Sequence, residues 1–254
     1  MIEVAGLGKT FTPPGGLRDL LRGRLRGLSH TALEGVSFSV ARGEVLAVVG
    51  ANGAGKTTLL RVLAGLLAPS AGRAEVLGED VAAHGTRSDF RRRVALVVAD
   101  ERSFMWSLSG RENLKFFAAL HGMAPAAAST RADQLLDRVG LRADATRRYS
   151  DYSRGMRQRL SLARGLLGDP EVLLLDEPTL GLDPIGARDL RRFLRDEIIK
   201  GHGRTAIVGS NDPAEVQLLA DRVLYLAAGR VEGEGAPGDL ARRLGLDQGV
   251  AGPP

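Results

Sequence analysis

The chain has 254 residues, which is enough for one large domain or two small ones with a sizeable buried core. Its apolar content of 44% and charged content of 26% are ordinary for a globular protein and exclude wholesale disorder. Cysteine is absent, which excludes disulfides, thiolate metal sites and cysteine nucleophiles together. The net charge of +5 permits an acidic partner, although mixed charges along the chain favour an ordinary solvated surface.

Two further features bear on where the chain resides. No apolar run approaches the roughly 20 residues that a membrane-spanning helix needs. The first residues, MIEVAGLGKTF, show no basic start followed by an apolar run, so no secretory signal is predicted. We therefore expect a soluble, cytoplasmic chain.

The predicted elements indicate an α/β fold. Helical periodicity dominates 56–68 and, in three stretches, about 110–168. Strands VLAVV and VLLLD are apolar throughout and are separated by helices, as expected for strands buried on both faces of a mainly parallel sheet. The predicted strands are 2–5, 36–40, 45–49, 94–98, 172–176, 205–209 and 222–228.

A basic insertion follows the first predicted strand. Residues 13–30, PPGGLRDLLRGRLRGLSH, place leucines at helical spacing with arginines between them. Such a segment could be an amphipathic helix that lies on a membrane surface or docks on a partner. Its four glycines weaken a helix, each by about 1 kcal/mol, and favour a solvated hairpin extension instead.

Residues 45–65, VLAVVGANGAGKTTLLRVLAG, predict a phosphate-binding loop between a strand and a helix. Gly50, Gly53 and Gly55 permit backbone angles that let several N–H groups converge on one anion. Lys56 suits the β- and γ-phosphates, and the Thr57 hydroxyl suits Mg²⁺. The alternative is a glycine-rich turn without a ligand. The predicted nucleotide-binding residues here are Gly50, Asn52, Gly53, Gly55, Lys56, Thr57 and Thr58.

A second motif, EVLLLDEPT, ends an apolar strand in two carboxylates. Asp176 is predicted to hold magnesium next to the phosphate loop. Glu177 points the other way on an extended chain and is predicted to orient or deprotonate the attacking water. The alternative is a capped strand–turn junction, and the presence of the phosphate loop disfavours it.

Residues 151–160, DYSRGMRQRL, could be a nucleic-acid contact, since arginines surround one glycine. However, Tyr152 to Met156 is similar to the signature motif of ATP-binding-cassette (ABC) proteins, and GLDP with Asp183 is similar to their D-loop. The phosphate loop and EVLLLDEPT resemble the Walker A and Walker B motifs of that family. All four motifs occur in the family's order, and the resemblance covers about residues 1–233.

The resemblance implies a P-loop NTPase with an antiparallel β subdomain and a helical signature subdomain at about 100–168, followed by a short tail at 234–254. It implies two nucleotide domains that face each other, with Ser153 and the Gly155 N–H of one reaching the γ-phosphate held by the other. Phe11 matches the adenine-stacking aromatic, although it could be a core residue of the first strand. Arg154 replaces the family's usual second glycine; its side chain could add charge opposite the phosphates, although we expect it to face solvent.

Two positions depart from the family pattern. Asn211 stands where the switch histidine is usual; its amide can donate a hydrogen bond to phosphate but cannot carry a proton. We therefore expect slow hydrolysis, or a heterodimer in which this chain's own site is degenerate. Asp100 stands at the glutamine of the Q-loop and could ligate Mg²⁺, unless it is an ordinary turn residue.

The resemblance implies ATP and Mg²⁺ as ligands and an ATPase that powers separate transmembrane permease subunits from the inner face of the cell membrane, with no nucleic acid. The YSRGMRQRL form resembles cassettes of ABC-2-type exporters. Residues 100–125, with Phe104, Met105 and Trp106, are expected to receive those subunits as an exposed aromatic cluster, unless Trp106 is buried. The alternative is a soluble ABC ATPase, for example of the iron–sulphur cluster assembly type.

Overall fold

The protein is represented by a computed structural model that describes residues 1–12, 29–85, 87–98 and 103–238. Its centre is a six-stranded sheet in the order β10-β9-β3-β8-β7-β6, parallel except for β10. This confirms the predicted mainly parallel core. The strands are β3 (Val45–Val49), β6 (Val94–Val98), β7 (Val172–Asp176), β8 (Thr205–Gly209), β9 (Arg222–Ala227) and β10 (Arg230–Gly235).

A second sheet is antiparallel, in the order β2-β1-β4-β5, and matches the antiparallel subdomain that the resemblance implied. One face is buried and the other exposed, so apolar and polar residues alternate. Predicted strands 2–5 and 36–40 are only parts of the two longest strands, which extend through polar residues. The strands are β1 (Ile2–Phe11), β2 (His30–Val40), β4 (Ala71–Val76) and β5 (Glu79–Asp80).

Helices pack on both faces of the core sheet and fill the predicted helical stretches. Ser109 and Glu112 form a capping box at the start of the helix Gly110–Leu120, which fixes where that helix begins. The helices are α1 (Lys56–Leu63), α2 (Val81–His84), α3 (Ser88–Arg93), α4 (Gly110–Leu120), α5 (Pro125–Arg138), α6 (Arg154–Gly165), α7 (Pro184–Phe193) and α8 (Pro213–Leu219).

Strand β7 divides the core into two clusters. Leu173 and Leu175 pack with helices α4, α5 and α6. Val172 and Leu174 pack with α1 and the antiparallel sheet. Successive side chains of a strand point to opposite faces, so a strand covered on both sides is apolar throughout. This is the physical reason for the VLLLD pattern.

The register of three neighbouring strands positions the site. Gly209 at the end of β8 lies opposite Val48 of β3 on one side and Asp176 of β7 on the other. The loops that follow these strands therefore emerge at the same edge of the sheet, which is where open α/β sheets bind ligands.

Some predictions fall on residues 13–28, 86, 99–102 and 239–254, which lie outside the described residues. They are the basic amphipathic segment, the Asp100 ligand and most of the tail. Among the helices that the structure describes, none is both long enough and apolar enough to cross a bilayer.

Candidate functional site

The phosphate loop, residues 50–55, connects β3 to α1 and depends on its glycines. Gly53 and Gly55 have φ of 84° and 109°, a region that disfavours side chains. A Cβ on Gly50 would lie 2.0 Å from the backbone oxygen of Leu226, so the loop packs directly on β9. The backbone can adopt this curvature because these three positions carry no side chain.

Lys56 is held at the centre of the site by oxygen atoms. Its side chain is 7% exposed, and its ammonium donates to the Gly50 carbonyl at 2.6 Å and to Asn211 Oδ1 at 3.0 Å. The Glu177 carboxylate lies 3.6 Å away. A buried ammonium needs such partners, and phosphate oxygens can take their place.

Asp176 offers an acceptor that the described part of the chain leaves unused. It is buried at the end of β7, and its Oδ1 makes no hydrogen bond to any described residue. Burial raises the pKa of this carboxyl, and a hydrogen bond from Thr57 partly offsets that rise. A buried carboxylate oxygen without a partner, next to a hydroxyl, fits a magnesium ion.

Glu177 follows directly but does not continue the extended chain that the sequence predicted. Its φ is 48°, and its N–H donates to the Gly209 carbonyl at 2.8 Å, so the loop after β7 is attached to β8. Burial raises the pKa of the Glu177 carboxyl, Lys56 lowers it, and Asp176 raises it again. A partly buried carboxylate with a raised pKa suits a general base.

Asn211 connects the loop after β8 to the phosphate loop. Its Oδ1 accepts from Lys56 and, at 3.3 Å, from the Gly50 N–H, while its Nδ2 donates to Asn52 Oδ1 at 3.3 Å. One amide thus serves as acceptor and donor at once. The structure brings the predicted phosphate-loop, Walker B and switch-position residues together.

A cavity of 310 Å³ opens beside these groups, and its lining includes Phe11, Asn52, Lys56, Thr57, Thr58 and Glu177. Phe11 is 38% exposed, so it is not the core residue that was the alternative. The lining also includes His30, which sequence reasoning missed. His30 pairs with Phe11 across β1 and β2, and only that register could have revealed it.

The signature residues lie elsewhere on the surface. Ser153 is exposed and caps α6 by accepting from the Met156 N–H at 3.3 Å. Asp183 is exposed and caps α7 through the Ile185 and Gly186 N–H groups. Of the described residues that line the Lys56 cavity, none comes from the signature segment or from Asp183.

Two expectations about side-chain exposure need correction. Phe104 is buried at 3% exposure and stacks on Tyr149 with ring centroids 4.8 Å apart, so it is not part of an exposed aromatic cluster. Trp106 is 48% exposed, as expected, although Arg157 stacks on its ring at 4.6 Å. Arg154 is exposed but does not simply face solvent, because it donates to the Gly181 carbonyl.

A phosphate loop between a parallel strand and a helix, followed by Lys56 and facing two adjacent carboxylates at the end of β7, defines a P-loop nucleotide hydrolase. Residues 33–180 match the family model described as ABC transporter. The chain belongs to this family, as an ATP-binding and ATP-hydrolysing subunit.

Named relatives agree with this assignment. The chain is 43% identical over 218 residues to the daunorubicin resistance ATP-binding protein DrrA3 of Streptomyces coeruleorubidus, covering 85% of this chain and 67% of that one. It is 36% identical over 205 residues to the ABC transporter ATP-binding protein NatA of Bacillus subtilis (81% and 82% covered). The solved structure of cbiO1 from Clostridium perfringens, part of the ABC transporter complex cbiONQ, superimposes with a TM-score of 0.75 at 28% identity (97% and 95% covered).

Proposed function

We propose that this chain hydrolyses ATP as half of a cassette dimer and thereby powers the separate membrane subunits of an ABC-2-type exporter. One observation carries the proposal. Lys56 and Glu177 line one cavity, with Asn211 bonded to Lys56 and Asp176 next to Glu177 in the chain. Ser153 and Asp183 of the same chain are exposed and do not line that cavity. A second copy or a related cassette supplies the remaining side of the nucleotide cavity.

The chain's own groups account for the chemistry. Thr57 and Asp176 would hold Mg²⁺, which supplies charge neutralisation at the phosphates, and Asp100 is proposed as a further ligand. Lys56 exchanges the Gly50 and Asn211 oxygens for phosphate oxygens of ATP. Phe11, which lines the same cavity, stacks on the adenine.

Glu177 accepts a proton from the attacking water. The new bond forms between water oxygen and the γ-phosphorus, the bond from that phosphorus to the β–γ bridging oxygen breaks, and ADP and inorganic phosphate leave. Asn211 donates its amide N–H to the γ-phosphate once Lys56 has moved to the phosphate. Because an amide cannot take up a proton, turnover is slow compared with a cassette that has histidine there.

Dimer closure brings Ser153 and the Gly155 N–H of one chain onto the γ-phosphate of the other. The N-terminal end of α6 adds a positive potential at that point. Residues 1–233 form this nucleotide domain, on the inner face of the cell membrane. Trp106, with the surface near it, is the proposed contact with the membrane subunits.

Affinity purification from detergent-solubilised membranes tests this function. We expect a polytopic membrane protein to accompany the chain and to raise its ATP turnover. Recovery of soluble scaffold proteins alone would favour a soluble ABC ATPase, such as one serving iron–sulphur cluster assembly. Recovery of a second, different cassette with histidine at the switch position would favour a heterodimer in which this chain's own site is the weaker one.

A further inference from the structure

The signature segment and the loop after Glu177 are joined within one chain. Arg154 is the first residue of α6, and its Nη1 donates to the Gly181 carbonyl at 3.0 Å. Gly181 lies in residues 177–183, the loop that leads from β7 to α7 and that we call the connecting loop. The contact spans 27 positions of sequence.

Gly181 leaves room for this contact. Its φ is 74°, and a Cβ placed on it would lie 2.4 Å from Arg154 Nη1 and 2.6 Å from Cζ. Gly155 is not crowded in this way, since a Cβ placed on it would lie 3.9 Å from Leu182, an ordinary contact. The guanidinium therefore lies directly against the backbone of the connecting loop, where a larger residue than glycine would displace it.

Both ends of the connecting loop are also fixed. Leu180 donates its N–H to the Glu177 carbonyl at 3.0 Å, and Asp183 caps α7. Between them, Thr179 donates to the buried Glu215 at 2.9 Å. Gly181 is therefore connected to Glu177 through a short, hydrogen-bonded loop.

We propose that Arg154 is a positioning residue that couples the signature segment to the connecting loop. Ser153 and Gly155 contact a phosphate held by the second chain. Arg154 then moves the Gly181 carbonyl through their hydrogen bond, and this sets the position of Glu177 in its own chain. The site in one chain thus responds to nucleotide bound in the other. The dimer part of this inference rests on the proposed function; the contact itself does not.

Hydrogen exchange of the purified full chain tests the contact without any need for hydrolysis. We expect Arg154→Ala to speed amide exchange within 178–186 by about fivefold, the factor that corresponds to one exposed hydrogen bond. Arg154→Lys, which retains a donor, restores part of the protection. The matched control is Arg188→Ala, which removes an exposed arginine of α7 that pairs with Asp189 and leaves the connecting loop untouched.

A double-mutant cycle identifies the partner. Gly181→Ala strains the loop and also displaces the guanidinium, so its effect on exchange should shrink by severalfold once Arg154→Ala has removed that side chain. Strictly additive effects, or equal exchange in Arg154→Ala and Arg188→Ala, would overturn the inference. Both variants are on the surface, and unchanged far-UV circular dichroism establishes that they fold.

Turnover with the membrane subunits present tests the coupling. We expect Arg154→Ala to lower kcat by about five- to tenfold with KM for ATP unchanged, because Lys56 and the phosphate loop are intact. Arg188→Ala keeps wild-type values. If wild type turns over and Arg154→Ala matches it, the coupling is wrong while the proposed function stands. If wild type shows no ATP turnover, the proposed function fails, and the exchange data alone decide the Arg154 contact.

Discussion

The charge at position 211 should set how tightly the site holds a triphosphate. Asn211 Oδ1 lies 3.0 Å from the Lys56 ammonium. A carboxylate at that distance would attract Lys56 by about 5.5 kcal/mol at an effective dielectric constant of about 20, before the cost of desolvating the pair. That attraction opposes transfer of Lys56 to phosphate, and the added negative charge repels phosphate directly. We expect Asn211→Asp to weaken ATP binding by at least about tenfold.

The assay is an equilibrium titration with a fluorescent ATP analogue at low and high salt. Gln217→Glu makes the same amide-to-carboxylate change on an exposed position of α8 and should bind like wild type. Equal affinity of Asn211→Asp and wild type would refute the reasoning. Asn211→His supplies an imidazole without negative charge and should raise turnover; an unchanged rate would place the limit at Asp100 or at a missing partner.

Further predictions concern the carboxylates and the glycines of the site and its surroundings. Glu177→Gln should bind ATP, trap a dimer in sedimentation experiments and stop turnover; normal turnover would remove Glu177 from the base role. In wild type, the raised pKa of this carboxyl should make turnover fall, on acidification, at a higher pH than an ordinary glutamate would. Gly50→Ala should cost about 3 kcal/mol in urea unfolding because it meets rigid backbone, whereas Gly53→Ala, with open space, should cost about 1 kcal/mol; equal costs would contradict this. Burial raises the pKa of Glu215, so the folded chain holds that proton more tightly than the unfolded chain, and stability falls as pH rises above the ordinary glutamate range. Glu215→Gln should remove that component, whose slope is at most about 1.4 kcal/mol per pH unit; an identical pH profile would show that Glu215 does not cause it.

The core strands were predictable because burial on both faces leaves little choice of residue. VLAVV and, up to its final aspartate, VLLLD are apolar throughout, as expected of strands buried on both faces, and the structure places both strands at their predicted bounds. Strands β4 and β10, AGRAEV and RVEGEG, were not predicted. They are half exposed and carry glycine and charge, so their pairing depends on neighbours that lie far away in sequence.

The functional site also contains residues that the sequence could predict and contacts that it could not. Lys56, Asp176 and Glu177 could be predicted because each belongs to a short motif at the end of a buried strand. The Asn211–Asn52 hydrogen bond, His30 beside Phe11 and Arg154 on Gly181 could not, since each joins segments through tertiary packing. Phe104 was wrongly expected at the surface, because an aromatic in a loop carries no signal that distinguishes a core contact from a docking contact.

Val48, Gly209 and Asp176 lie side by side across three neighbouring strands, and this register limits which insertions the sequence can tolerate. Adding one residue anywhere in those three short strands would advance everything beyond it by about 3.3 Å and turn each later side chain to the opposite layer. A single codon insertion in β3 or β7 would shift Lys56 relative to Asp176 and Glu177, and one in β8 would shift Asn211 relative to Lys56. Strand length, counted in whole residues, is therefore as much a part of the reaction centre as the groups it carries.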